Sequence, residues 1–155
     1  MLAPVRNLFE AHLNVANLER AVHFYTEVLG FELAKLFPDR RAAFVWIGRR
    51  GESMLGLWES GSSPQRMSLH VAFKVPLVDL LESVVAMRRS GIEPLGFDGE
   101  PVDEPVVIAW MPAAAIYFRD PDGNLLEFIA MLEETARPGL GVLAWSEWDA
   151  REVSG

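Results

Sequence analysis

The sequence predicts an α+β fold built from two copies of one β-α-β-β-β unit, and three observations carry that prediction. An alternation of apolar and polar residues opens each half of the chain, the period-two signature of a half-buried strand. Each alternation runs into a stretch with helical apolar spacing that stops at a glycine. Several short strand candidates then follow in both halves.

In the first half, Phe9, Ala11, Leu13 and Val15 share one strand face, and Glu10, His12 and Asn14 share the other. Asn17 is a good N-cap for a helix that carries Leu18, Ala21, Val22, Tyr25, Val28 and Leu29, with Gly30 as its stop. Strands are expected at Phe31–Phe37, Ala42–Ile47 and Met54–Trp58, punctuated by Pro38-Asp39 and Gly48–Gly51. The Ser- and Gly-rich segment Glu59–Gln65 reads as a connector.

The order then restarts. Met67, Leu69, Val71, Phe73 and Val75 alternate with Ser68, His70, Ala72 and Lys74. Pro76 suits the first turn of a helix, Leu77, Leu80, Leu81, Val84 and Met87 supply its apolar spacing, and Gly91 ends it. Strand candidates follow at Glu93–Phe97, Val106–Trp110, Ala114–Phe118 and Leu125–Met131, one of them expected to be a short extra ribbon. Two units too small to bury their own sheets should pack into one core.

Composition bounds the function. The chain has 155 residues, half of them hydrophobic, a length and make-up ordinary for one globular domain. Its net charge of −8 argues against nucleic-acid binding, which needs clustered basic residues. Lys35 and Lys74 stand alone, and Arg40-Arg41, Arg49-Arg50 and Arg88-Arg89 form local pairs without a basic stripe. The absence of cysteine removes disulfides, thiolate ligands and a thiol nucleophile. No signal-peptide pattern opens the sequence, and no apolar run approaches the ~18 residues of a membrane helix. The expectation is a soluble, cytoplasmic protein with no membrane partner.

Three histidines are present. Overlaying the two halves matches His12 with His70, each on the polar face of an opening strand. The same overlay matches Leu55-Gly56-Leu57-Trp58 with Leu126-Glu127-Phe128-Ile129. Glu127 lies in an apolar frame, where a carboxylate is costly unless paired or ligated. Two imidazoles and a carboxylate converging from three strands form a set suited to Fe, Mn, Zn, Ni or Co, with positions left open for substrate. Taken singly, a strand histidine is more commonly structural or a surface residue.

The run Phe9-Glu10-Ala11-His12-Leu13-Asn14-Val15, with Leu18–Tyr25 and Val28-Leu29-Gly30-Phe31 after it, resembles the opening of the vicinal-oxygen-chelate superfamily. Tyr117-Phe118-Arg119-Asp120-Pro121-Asp122-Gly123-Asn124-Leu125-Leu126-Glu127 resembles that superfamily's other signature, a tight turn feeding the strand with the last metal ligand. Glyoxalase I, bleomycin-resistance proteins, fosfomycin-resistance thiol transferases and extradiol dioxygenases are members. The resemblance implies a single domain over residues 8–132, with modules at about 8–60 and 66–132 and a C-terminal extension at 133–155. It implies one cup-shaped mixed sheet with helices outside, around one divalent metal ion held by His12, His70 and Glu127. A homodimer is expected by analogy.

Glyoxalase I has a fourth ligand where the overlay places Gly56, and Glu59 could replace it only through a bulge. Ordinary glyoxalase I activity is therefore not expected. Dioxygenase chemistry calls for a further histidine, and the spare one, His23, falls on the first helix. Lys74 and Arg119 are the cations available to a phosphonate pocket, and either reads equally well as a solvated charge. What remains is a metal-dependent lyase or transferase acting on a small oxygen-chelating molecule, with Glu10 or Glu59 as candidate bases. The alternative is a non-catalytic protein of bleomycin-resistance type that sequesters an aromatic ligand. Of the five tryptophans, Trp46 and Trp58, with Arg119, are the candidate substrate contacts; core packing is the commoner role for any one of them. The tail Pro138–Trp148 would cap the cup or cover a dimer partner.

Overall fold

The computed structural model describes residues 7–59 and 68–152. The chain forms two compact units, the first comprising Met1–Leu69 with Asp120–Asn124 and the second His70–Arg119 with Leu125–Gly155. Most of the predicted connector, and Met67, lie outside the described residues. Among the described residues no helix is long and apolar enough to cross a membrane.

Unit one contains β1 (Glu10–Val15), α1 (Leu18–His23), β2 (Glu32–Phe37), β3 (Ala42–Ile47) and β4 (Ser53–Glu59). Its sheet has the order β1-β4-β3-β2, with β1 parallel to β4 and the other pairs antiparallel. Asn17 caps α1 as expected, accepting from the Arg20 N–H at 2.8 Å. Beyond His23 the predicted helix continues as a π turn over Phe24–Val28. The wider turn buries both Phe24 and Tyr25, which helical spacing alone could not foresee. Leu18, Ala21 and Tyr25 are buried with Leu13, Val15, Val45, Leu55 and Leu57. Glu10, His12 and Asn14 lie on the opposite strand face.

Unit two contains β5 (His70–Lys74), α2 (Leu77–Arg89), β6 (Val106–Ile108), β7 (Ala113–Arg119), β8 (Leu125–Met131), β9 (Val142–Ala144) and α3 (Trp145–Glu152). The sheet order is β5-β8-β7-β6-β9. Leu80, Val84 and Met87 of α2 are buried over the face that carries Phe73, Leu126, Ile116 and Phe118. Glu93–Phe97 is not the predicted strand: only Leu95 bridges, to Tyr117 and Pro101, because the chain turns at Gly96, whose N–H bonds to the Glu100 carbonyl. The predicted Val106–Trp110 strand stops at Ile108, where a turn at Trp110 takes over. The tail adds a fifth strand, β9 antiparallel to β6, and α3 buries Trp148.

The α+β class and the repeated unit are thus as the sequence predicts, but in place of the one mixed sheet expected each unit holds its own, of four strands in unit one and five in unit two.

Candidate metal centre

Unit two gathers the densest set of donors. Glu127 pairs in register with Ala72 of β5 and Tyr117 of β7, so its side chain stands on the face away from α2. It is 4% exposed. Its Oε2 lies 3.0 Å from His70 Nε2, while its Oε1 is buried without a hydrogen-bond partner. Burial pushes the Glu127 carboxyl up from the ordinary range, opposed by the His70 ring and by a hydrogen bond from the Tyr117 hydroxyl. Burial and the Glu127 charge in turn push the Tyr117 phenol up. The Tyr117 ring also tilts against His70, centroids 6.1 Å apart.

Donors at bonds of about 2.0–2.1 Å from one metal stand about 3 Å apart when the angle between them is near a right angle. The His70–Glu127 separation fits that span, and an orphaned buried carboxylate oxygen is what a cation would satisfy. The donor chemistry of unit two therefore fits a divalent metal. Arg119 lies in the same row of the sheet, joined to His70 through Leu125, and its side chain is exposed.

Unit one carries the other predicted donor. His12 Nε2 lies 2.6 Å from Glu10 Oε1, and both side chains are partly exposed. Trp46 stands in the Glu10 row through Met54, and Trp58 lies beside Asn14. Both predicted aromatic contacts therefore share the face of His12 and Glu10. The structure brings His70 and Glu127 together; among the described residues it does not gather three His, Cys, Asp or Glu closely enough to hold a metal.

The strand registers correct the overlay of the two halves. His12 faces Gly56 across β1 and β4, whereas His70 faces Leu125, two residues before Glu127. If Gly56 matches Glu127, the counterpart of His12 is Ala72 and the counterpart of His70 is Glu10. Burial agrees: Glu10-Ala11-His12-Leu13 and His70-Val71-Ala72-Phe73 both read exposed, intermediate, exposed, buried. Matching by residue type had shifted the first strand by two positions, which period-two patterning cannot detect because the face is unchanged. Counting back from Val15 and Val75 at the ends of the two alternations would have found it. Tyr117 was legible by the same parity, two residues before Arg119.

Glu59, considered as a fourth ligand or base, is occupied. Its Oε2 accepts from the Leu18 N–H at 2.7 Å and from Arg41 at 2.6 Å, and its Oε1 from Arg41 Nε at 3.1 Å. The β1–β4 register passes through Glu59 without a bulge. His23 is exposed at the end of α1, as a helix-surface histidine would be, and Lys74 is exposed on the His70 face.

Two β-α-β-β-β units, each with polar donors on the face opposite its helix, define the vicinal-oxygen-chelate fold. Residues 7–128 match the model of the Glyoxalase/Bleomycin resistance protein/Dioxygenase superfamily, and the chain belongs to that superfamily. It is 33% identical over 127 residues to the catechol-2,3-dioxygenase of Bacillus subtilis (strain 168), covering 77% of this chain and 40% of that protein. The chain therefore spans well under half the length of that relative. A virulence protein of Salmonella typhimurium (strain LT2) is 27% identical over 124 residues, covering 74% of this chain and 77% of its own. An integron cassette protein from the mobile metagenome of the Halifax Harbour sewage outfall superposes with a TM-score of 0.69. It is 35% identical, and the match covers 82% of this chain and all of that one.

Proposed function

We propose that the protein is a divalent-metal-dependent enzyme, a lyase or transferase, acting on a small oxygen-chelating metabolite or xenobiotic. His70 and Glu127, 3.0 Å apart in unit two, supply donors for the metal. The observation that carries this reading is Glu127, a carboxylate 4% exposed whose Oε1 has no hydrogen-bond partner. A group so costly to bury makes sense where a cation completes it.

A bound divalent metal supplies Lewis-acid polarisation of a substrate oxygen. The chain's own residues do the rest. His70 holds the Glu127 carboxylate in place through a hydrogen bond, with Tyr117 beside it in register on β7. Trp46, Trp58 and Arg119 are the proposed substrate contacts, rings for an apolar body and a guanidinium for an anionic group. The Glu10–His12 pair, joined at 2.6 Å, is placed to hold or accept a proton. Ordinary glyoxalase I turnover is not expected, since Gly56 offers no ligand and Glu59 is engaged by Arg41 and α1.

Elemental analysis of wild type, His70→Ala and Glu127→Ala tests the metal. About one divalent ion per wild-type chain and a loss in both variants are expected; equal content in all three would sink the proposal. Robust turnover of a hemithioacetal with added Ni or Zn would overturn the exclusion of glyoxalase I activity.

One observation favours the second reading, an aromatic-ligand sequestering protein: Phe37, Phe44 and Trp58 form a ring cluster in unit one, with Phe44 5.8 Å from Phe37 and 6.0 Å from Trp58. Tight binding of a planar aromatic to chelator-treated protein, without turnover on metal addition, would favour it.

A further inference from the structure

We propose that the His12 face of unit one binds a planar aromatic carboxylate, with Lys35 and Arg40 holding its charge and Phe37, Phe44 and Trp58 packing its rings. The inference rests on the aromatic reading of unit one given above, to which it adds the ligand's charge. It does not depend on a metal in unit two.

A bulge aims the cationic edge. Plain alternation along β2 would put Leu33, Lys35 and Phe37 on one face. Leu33 pairs with Val45, a buried residue of the face that α1 covers. The register then slips between Leu33 and Lys35, so that Ala34 is the extra residue. An insertion of this kind re-aims the side chains that follow it. Lys35 therefore pairs with Phe44, and Phe37 with Ala42. Both have left the face of Leu33 for the face of His12 and Trp58. Lys35 stands in one row with Phe44, Gly56 and His12, and Phe37 in the next with Ala42, Trp58 and Asn14.

The two cations are held in place but not neutralised. Lys35 Nζ lies 5.7 Å and Arg40 Cζ 5.9 Å from the Phe37 ring centroid, within the range of a cation–π contact. Arg20, Arg41, Arg49 and Arg50 of the same unit each pair with a carboxylate. Among the described residues Lys35 and Arg40 pair with none. In a chain of net charge −8, two such cations over one ring are matched to an anion from outside the chain, and their N–H groups suit a carboxylate.

Rings pave the face from that edge inwards. Phe44 meets Phe37 edge-on at 5.8 Å and Trp58 at 6.0 Å, and all three are partly exposed. Exposed ring surface of this kind takes a further aromatic by stacking or edge contact. Strands about 4.8 Å apart put Lys35 and His12 about 14 Å from each other along their row. That span suits a body of about two fused rings, its carboxylate at Lys35 and Arg40 and its far end towards His12.

The test uses the chelator-treated full chain, with 2-naphthoate as the probe and 2-naphthamide as its uncharged counterpart. Calorimetry reads the affinity, and histidine ring signals in proton NMR read the place. Naphthoate should bind at least about tenfold more tightly than naphthamide, the worth of one charge-assisted hydrogen bond. Lys35→Met and Arg40→Met should each weaken naphthoate about tenfold and leave naphthamide unchanged. Both side chains are exposed, so both variants should keep the wild-type unfolding midpoint. The His12 signals should shift on binding while those of His70 stay in place. Equal affinity for the two probes would overturn the inference and leave the aromatic reading standing. Naphthoate binding that ignores both substitutions, or that shifts His70 instead of His12, would overturn it too. If neither probe binds, the aromatic reading of unit one falls and the inference with it.

Discussion

The Tyr25 hydroxyl donates to Asp120 Oδ2 at 3.0 Å, tying the π turn after α1 to the Asp-Pro-Asp-Gly turn that precedes β8. Asp120 is 5% exposed and fully employed. It also accepts from the backbone N–H groups of Asp122 and Asn124, each at 2.9 Å, and from Asn124 Nδ2 at 2.8 Å. Burial and the Asp120 charge push the Tyr25 phenol well above its ordinary range, so it stays a donor at any pH the fold survives. Asp122 extends the tie by accepting from the Ala16 N–H at 2.9 Å.

Removing the Tyr25 hydroxyl therefore leaves a buried carboxylate one donor short. Tyr25→Phe is expected to cost about 1–3 kcal/mol, and Asp120→Ala more, because it strands several donors at once. Urea unfolding checks both. A Tyr25→Phe midpoint equal to wild type would show that the bond contributes nothing net.

The acid response should centre on Arg41. Its guanidinium holds the Glu19 carboxyl down to about 2 and also lowers Glu59, which the Leu18 N–H assists. Both folded values lie below the ordinary 4.5, so the stability they contribute is present above pH 4.5 and is lost as pH falls towards 2. Glu19 and Arg41 are exposed and Glu59 is half-buried, so the effect is modest. Arg41→Met should flatten the dependence of the urea midpoint on pH in that window. Glu59→Gln should leave metal affinity unchanged, because Glu59 serves Arg41 and α1; a tenfold loss would restore it as a ligand.

Much of the fold was legible because burial imposes period two on strands and helical spacing on helices, and both survive in Phe9–Val15 and Leu77–Met87. The faces bearing His12, His70 and Glu127 were legible for the same reason. What the pattern could not show is whatever leaves periodicity unchanged. A two-residue shift between halves keeps the face, so the register match of Glu10 with His70 is invisible to the pattern. The π turn at Phe24 adds one residue to a helical ladder without a distinctive composition. Strand β9 is only Val142–Ala144, and its partner β6 lies far back in the chain.

Gly56→Ala probes the close approach of three rings. The added methyl must displace His12, Phe44 or Trp58, at a cost of about 1–3 kcal/mol for overpacking. The His12 ring signals in proton NMR should move as the ring leaves Trp58 and Phe44, while those of His23 stay in place. Unmoved His12 signals would show that the strand yields instead of the ring.

Trp148 anchors the C-terminal extension to unit two. It is 1% exposed, the Arg137 guanidinium lies 5.6 Å from its ring centroid, and α3 packs beside β9 and β6. Its helix is fixed at the start by Glu104, which accepts from the Ser146 N–H at 2.8 Å and the Ser146 hydroxyl at 2.9 Å. Trp148→Ala should destabilise the protein by about 3–5 kcal/mol, the range for emptying a buried aromatic site. Losing α3 should also loosen β9 and expose the edge of β6, a strand edge open to pairing with other chains. Chemical unfolding with size-exclusion chromatography checks both effects. A lowered midpoint together with concentration-dependent association is expected, whereas a monodisperse variant of wild-type stability would show that the extension is dispensable to the second sheet.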